Sequence, residues 1–468
     1  MSLTTLSFTA KAAKNMSFDV GLLVFVLRVL LLSCLLLAMP FASLAGVASP
    51  VAVEIRGEKG EFQLFRGGEP YVVKGVGLGV DAQAPEELIR RLAAHGGNSF
   101  RTWHVIDRAF LDLAHAHGIT VAICLDMARE RHGFDYDDEH AVGQQLEIFR
   151  RQVNAIKDHP ALLFWIVGNE LNLGYTNPRV YDAVNDVAIM IHEVDPLHPV
   201  TTATAGISVE LAQVIMRRAP ELDFISVQVY GGLFDMTPVL TEIDFDIPVA
   251  VTEWGTIGHW EVSETEWGAP IELNSREKAE TYMRGYAEVL QPLSGTLIAN
   301  YAFLWGQKQE RTPTWYGMFT EKLERTPAID AMHQIWNEAP FKYKAPAINE
   351  LLLNDLRASD SIRLRPNSTN VAKVSIAGKA DEGLSFAWSV RYESNATESG
   401  GDVENVPSTL PNLVEPSGNG TAELIAPNQP GAYRLFVDVR DSAGAVGYAN
   451  VPFFVEGARD VGLGEVSE

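Results

Sequence analysis

Two carboxylates end apolar runs in this chain: Glu170 in "FWIVGNELNLG" (164–174) and Glu253 in "PVAVTEW" (248–254). A strand more commonly ends on Gly, Asn or Asp, which favour the turn that follows. Two carboxylates brought face to face have a definite use at an acetal carbon. One, protonated, gives its proton to the departing oxygen; the other, ionised, meets the positive charge that develops at the anomeric carbon. At a separation of about 5–5.5 Å the second attacks directly and configuration is retained. Asn169, beside the first, is suited to hold a sugar hydroxyl, and aromatic faces nearby would serve as platforms for sugar rings.

The surrounding pattern suits such a pair. Strand-like runs "YVVKGVGL", "NSFRTW", "TVAICLD", "LLFWIVGN", "PVTTATA", "FISVQVY", "PVAVTEW" and "TLIANYAFLW" alternate with helical stretches, among them "PEELIRRLAAHGG" with its early Pro85 and late glycines. Eight apolar strands alternating with helices predict a (β/α)8 TIM barrel over 51–340, closed by the helix "PAIDAMHQIW". A doubly wound open sheet is the alternative, but no Gly-x-Gly-x-x-Gly follows the first strand. A barrel of this kind carries its chemistry at the C-terminal ends of its strands. Those ends hold Arg101, Trp103 and His104; Asp126; Asn169 and Glu170; Tyr230; Glu253 and Trp254; and Trp305. Glu170 and Glu253 fall on strands four and seven, positions from which their side chains can converge. Glu170 and Glu253 are the expected catalytic pair, with Arg101, His104, Asn169, Tyr230, Trp254 and Trp305 as expected substrate contacts. Each also has a blander reading, as a rim ion pair, a structural histidine or a capping aromatic.

"WIVGNE" and the later "VTEWG", with "GEPYVVKGVGLG" and "HGGNSFRTWHV" ahead of them, resemble the clan A retaining glycoside hydrolases over roughly 60–340. The catalytic barrel of glycoside hydrolase family 2 carries the resemblance most fully, with family 5 a neighbour. The resemblance implies Glu170 as acid/base, Glu253 as nucleophile and Asn169 as the contact to the sugar 2-hydroxyl. It further implies Arg101 and Tyr230 as partners of the nucleophile and Trp305 as a platform. Family 2 enzymes usually carry a jelly roll and a sandwich ahead of the barrel, whereas here the barrel pattern starts soon after an apolar leader.

The rest of the chain sets limits. With 37 basic against 60 acidic residues, a formal charge of −23 argues against nucleic acid or anionic membrane as a partner. Residues 1–45 read as an export signal, or as an uncleaved membrane anchor, so the expected location is secreted or periplasmic. Cys34 and Cys124 make no disulfide framework. A Pro/Lys linker at 341–347 precedes an expected immunoglobulin-like β-sandwich at 348–457, in which "LSFAWSVRY" and "AYRLFVDVRD" alternate with period two. Its Phe436 lies on the face opposite Tyr433 and Leu435, and packing against the barrel is the favoured use of it. His259, Trp260 and Trp267, after the nucleophile, suggest subsites or loop packing. "DYDDEH" fails the EF-hand register, no His/Cys cluster argues for a metal, and no cofactor is expected. The reading is a retaining glycosidase of β-linked, glucan-like glycosides or polysaccharides. The alternatives are a transglycosylase using the same glutamates and an inactive carbohydrate-binding barrel.

Overall fold

The computed structural model describes residues 49–79, 81–243, 246–378, 383–397 and 401–457. The expected leader, with Cys34, lies outside them. Strands β1 (Val53–Arg56), β2 (Gln63–Arg66) and β3 (Glu69–Pro70) form a small antiparallel sheet. Its hairpin turns at Gly67-Gly68, both at positive φ, as a tight two-residue connection requires.

The predicted barrel follows, closed and parallel, from eight strands. They are β4 (Gly75–Gly77), β5 (Ser99–Arg101), β6 (Thr120–Leu125), β7 (Leu162–Asn169), β8 (Val200–Ala205), β9 (Phe224–Gln228), β10 (Val249–Trp254) and β11 (Leu297–Ala302). Each lies inside one of the eight runs read from the sequence. The helices between and after them are α1 (Pro85–Ala94), α2 (Arg108–Ala116), α3 (Glu139–Ile156), α4 (Val180–Val194), α5 (Val209–Arg218), α6 (Met236–Ile243), α7 (Ser275–Gly285) and α8 (Pro327–Asn337). Local chemistry starts them where the sequence indicates. Asp107, Asp138 and Ser208 accept N-terminal backbone N–H groups of α2, α3 and α5, and Asn274 with Glu277 forms a capping box on α7. Asp138 belongs to the "DYDDEH" run, so that carboxylate serves as a helix cap.

Strand parity sorts the apolar residues into two cores. Trp165, Val167, Val249 and Val251 face outward into the large cluster shared with the helices. Phe164, Ile166, Phe224, Ala250 and Tyr301 face inward, and Val53, Leu64 and Val73 from the N-terminal sheet pack against them. That layer fills the barrel floor, which leaves only the C-terminal mouth for a site.

Two further sheets follow the barrel. One has the order β12 (Ile348–Leu353), β14 (Thr369–Ile376), β18 (Thr421–Ile425), β17 (Val414–Gly418). The other runs β13 (Arg363–Leu364), β20 (Val446–Val455), β19 (Gly431–Arg440), β15 (Ser385–Tyr392), β16 (Thr409–Leu410). Together they form a β-sandwich around Leu351, Val390, Leu424, Leu435, Val437 and Phe453. The opposite face of β19 turns toward the barrel, which explains why its alternation is apolar on one side and buried on both. Phe436 there lies under the Arg391 guanidinium, 5.6 Å away, and Arg391 reaches Glu321 after the last barrel strand. Arg434 donates to Glu393, Asn450 and the Pro270 carbonyl. The contact closes around Glu272, which is buried. Its carboxylate accepts from Lys278, from Thr314 at 2.9 Å, from Thr312 at 2.6 Å and from the sandwich's Asn450 at 2.6 Å. A buried ion pair holds only when its remaining lone pairs are satisfied; here both halves of the molecule supply the donors. The linker is tied down as well, Ala345 N–H donating to Asp330 at 2.7 Å.

Candidate active site

Glu253 stands near the end of β10 and points into the mouth. Its Oε1 accepts from Arg101 Nη1 at 2.6 Å and from Trp103 Nε1 at 2.8 Å, and its Oε2 accepts from the Tyr230 hydroxyl at 2.8 Å. Three donors, one of them carrying a fixed positive charge, thus converge on this carboxyl. The Arg101 side chain is fully buried and lies over the Trp103 ring, 4.7 Å to its centroid. Its Nη2 donates to Asn169 Oδ1 at 2.9 Å, which also accepts from Gln228 Nε2 at 2.7 Å. The Asn169 oxygen is therefore fixed by two donors, which turns its amide nitrogen toward whatever occupies the mouth. Burial and the neighbouring Glu253 charge push the Tyr230 hydroxyl well above its ordinary pKa, so it remains a donor.

Glu170 follows β7 and has a different setting. Its carboxyl takes no hydrogen bond from any described residue, and its backbone lies in the left-handed region at φ 52. Burial first, and the Glu253 charge second, raise its pKa to about 8, against the opposing pull of Arg101 and Arg131. A carboxyl so placed is protonated at neutral pH. One mouth thus holds a carboxyl with three donors and a carboxyl with none among the described residues.

Both strands break their alternation just before these residues. On β10, Ala250 points in and Val251 out, so strict period two would send Glu253 outward. A register irregularity between Val251 and Glu253 against β9 resets the parity. On β7 the shift lies between Ile166 and Asn169, where Gly168 takes φ 75. A Cβ at Gly168 would also approach the Leu171 side chain to 2.4 Å. Glycine permits the shift that turns Asn169 inward.

The structure brings together Glu170, Glu253, Arg101, Asn169 and Tyr230. Three expected contacts lie elsewhere. Trp254 follows the reset Glu253 and so faces outward; it is fully buried, packed on Tyr282 at 5.5 Å. Trp305 is also fully buried, its Nε1 donating to the Leu88 carbonyl at 2.8 Å and its ring packed on Phe319 and Trp336. Both are core residues and no platform for a sugar. His104 is exposed and pairs with Asp126 at 3.1 Å, on the side of β5's extension opposite to Arg101 and Trp103.

Gln228 and Phe303 are site residues that the strand ends do not offer, and Trp103 is a strand-end residue that is not among the expected contacts. Period two from Arg101 was the available signal for Trp103. Gly77 makes room for it, since a Cβ there would meet the Trp103 ring at 2.6 Å. Phe303, just past β11, stands edge-on to Trp103 and Tyr230, with centroids 5.6 and 5.8 Å apart. Of the loop aromatics, Trp260 is 58% exposed and edge-on to Tyr230 at 5.7 Å, a platform at the rim. Trp267 instead packs on Phe454 of the sandwich. Glu261 holds the rim loops together by accepting from the N–H groups of Gly231, Gly232 and Gly258. Among the described residues no group of three or more His, Cys, Asp or Glu side chains is arranged to hold a metal ion.

Fold and site together define a closed parallel barrel with two glutamates at its mouth. Residues 73–256 match the family model described as "Glycosyl hydrolases family 2, TIM barrel domain". Solved structures similar to the chain include a β-glucuronidase from Bifidobacterium dentium, at 18% identity, TM-score 0.47, and 62% of this chain against 49% of that one. A β-galacturonidase from Eisenbergiella tayi matches at 17% identity, TM-score 0.49, and 63% against 55%. A putative β-galactosidase from Bacteroides fragilis matches at 14% identity, TM-score 0.48, and 87% against 58%. The chain thus spans about half the length of these proteins (49–58%). The curated proteins gave no match.

Proposed function

We propose that the protein is a retaining β-glycosidase in which Glu253 attacks the anomeric carbon and Glu170 protonates the departing oxygen. The observation that carries this is the asymmetry of the pair. Glu253 accepts hydrogen bonds from Arg101, Trp103 and Tyr230, while Glu170 has no donor among the described residues and a pKa pushed up to about 8. In the first step the Glu253 carboxylate forms a bond to the anomeric carbon as the glycosidic C–O bond breaks, and the Glu170 proton passes to the leaving oxygen. Glu170, now ionised, then takes a proton from the incoming acceptor, whose oxygen displaces Glu253. Arg101 and Tyr230 stabilise Glu253 when it departs as a carboxylate. The amide nitrogen of Asn169 suits a hydroxyl next to the anomeric centre.

The family match to residues 73–256 supports a carbohydrate substrate, and we place that substrate among β-linked, glucan-like glycosides. Water as acceptor gives hydrolysis. The exposed Trp260 beside Tyr230 favours, as a second reading, a sugar acceptor and hence transglycosylation. The apolar leader supports secretion or a periplasmic location. The test is Glu253→Ala assayed on activated aryl β-glycosides. Turnover should fall by about three orders of magnitude or more, and azide should restore part of it with inverted product configuration, read by NMR. Wild-type turnover in that variant would reassign the nucleophile.

A further inference from the structure

Across the mouth from Glu170 stands a second set of polar groups that the chemistry of the pair does not use. In the barrel's strand order β11 lies four strands from β7, on the far side of the ring. The segment after β11 carries Lys308, Glu310 and Arg311, and the segment after β10 carries His259 and Trp260. Glu310 interacts electrostatically with Glu253, Glu170, Tyr230 and Tyr316. Groups on opposite sides of the ring feel its charge, which places its carboxyl at the mouth and not behind one wall. It is also within reach: 9% of its side chain and 11% of the His259 side chain are exposed, against 6% for Glu253 itself.

These groups are fixed in place and only partly used. Glu310 Oε2 accepts from Lys308 Nζ at 2.8 Å, and Gly401 O of the sandwich accepts from the same Nζ at 2.8 Å. Glu404, also of the sandwich, accepts from Arg311 N–H at 2.7 Å. His259 is neutral, because burial first and the Arg311 and Lys308 charges second lower its pKa to about 4. Its Nδ1 accepts from Arg311 Nε at 3.4 Å, so the ring proton is on Nε2. Nε2 lies 3.7 Å from Glu310 Oε1, too far for a hydrogen bond. An oxygen about 2.8 Å from each would bridge them, accepting from Nε2 and donating to Oε1; a hydroxyl does both. The gap adjoins the platform, since the His259 ring is edge-on to Trp260 at 4.9 Å and Trp260 is edge-on to Tyr230 at 5.7 Å.

We propose that Glu310 and His259 are specificity residues, which together take up one hydroxyl of the sugar whose anomeric carbon reaches Glu253. This rests on the glycosidase reading, in which the leaving group departs on the Glu170 side and the sugar that stays lies toward β10 and β11. Asn169 suits the hydroxyl next to the anomeric centre, so the one at Glu310 belongs farther round the ring, at position 3, 4 or 6. The bridging oxygen must give a proton to Oε1 as well as accept one from Nε2. A neutral sugar meets that demand; the carboxylate of a uronic acid has no proton to give.

The full chain is assayed on the dinitrophenyl β-glycosides of glucose, galactose, mannose, glucuronic acid and galacturonic acid. The 3-, 4- and 6-deoxy forms of the best neutral substrate follow. In the wild type one of these deoxy forms should lose about ten- to a hundredfold in kcat/KM, the effect of one hydrogen bond to a charged group. In Glu310→Ala and in His259→Phe the parent glycoside should fall by a similar factor, and the penalty for that same deoxy form should shrink to about twofold or less. His259→Phe keeps a ring against Trp260 and Trp315, and decides the matter if Glu310→Ala does not fold. A residue that merely supports the loop would lower parent and deoxy forms alike. A penalty undiminished in the folded variants, a wild type indifferent to all three deletions, or one that prefers the uronides overturns the proposal alone. A wild type inactive on every one of the aryl glycosides overturns the glycosidase reading on which it rests.

Discussion

At the end of β10 a glutamate is surrounded by donors; just after β7 another has none among the described residues. Arg101, Trp103 and Tyr230 converge on Glu253, whereas Glu170 faces burial and a like charge with no hydrogen bond to offset them. The residue type is the same, and the hydrogen-bonding environment is not. What separates them is the neighbouring strands. β5 and the segment after β9 deliver their polar side chains to Glu253 and leave Glu170 to the rim loops. The setting of each carboxyl is therefore a property of the packing around it.

Removing the charge that holds Glu253 should break the comparison most severely. Arg101→Met leaves a buried carboxylate without its cation, and loss of one partner of a buried pair costs about 3–5 kcal/mol. The melting temperature should drop, and kcat/KM on aryl glycosides should fall by roughly two to three orders of magnitude, since 1.4 kcal/mol is about a factor of ten. Near-normal kinetics would mean that Glu253 does not depend on its ion pair.

Tyr230→Phe removes one of the three donors and leaves the charge. A hydrogen bond to a charged group contributes about 1.5–3 kcal/mol, so kcat should fall about 10- to 100-fold with a smaller effect on KM. A change in KM alone would assign Tyr230 to substrate binding.

Glu170→Gln sharpens the other side of the pair. The wild-type rate should fall as pH rises through about 8, where Glu170 loses its proton. On an activated aryl glycoside the glutamine variant should lack that limb. Stability gives an independent reading. Because the folded pKa is raised, the folded state holds a proton between the ordinary carboxyl range and about pH 8 that the unfolded state releases. Stability contributed by this group is present at low pH and declines as pH rises through that window. Glu170→Gln should therefore raise the melting temperature more at pH 8 than at pH 5. An equal change at both pH values would place the Glu170 pKa in the ordinary range.

The smallest effect is expected at the rim. Trp260→Ala should raise KM for oligosaccharides a few-fold, in line with the 0.5–1.5 kcal/mol or so of an aromatic contact, and leave protonation at both carboxyls as it is. A shift of the pH profile in this variant would show that Trp260 acts on the pair.

Much of this was legible in the residues. The eight strands alternate with helices clearly enough that each run contains its barrel strand, because buried parallel strands need near-continuous apolar sequence. The strand ends exposed Glu170, Glu253, Arg101, Asn169 and Tyr230 for the same reason: polar groups after such runs stand out. The period-two rule gives Trp103, two beyond Arg101, the same face as Arg101, and His104 the other. Trp254 and Trp305 misled because an aromatic at a strand end reads alike whether it faces the mouth or the helices.

The sequence by itself determined the barrel, its floor and the identity of the two carboxylates, since each depends on local pattern and hydrophobic period. The tertiary structure decided which way those carboxylates point. The irregularities ahead of Glu253 and Asn169 arise from how β10 pairs with β9 and how β7 pairs with β8. A bulge is a relation between two strands, and one strand's residues do not contain it. The tertiary structure also decided that Asp402 reaches Arg131 across 271 positions of sequence. Such a pairing is set by the packing of the sandwich on the barrel, and no spacing along the chain marks it.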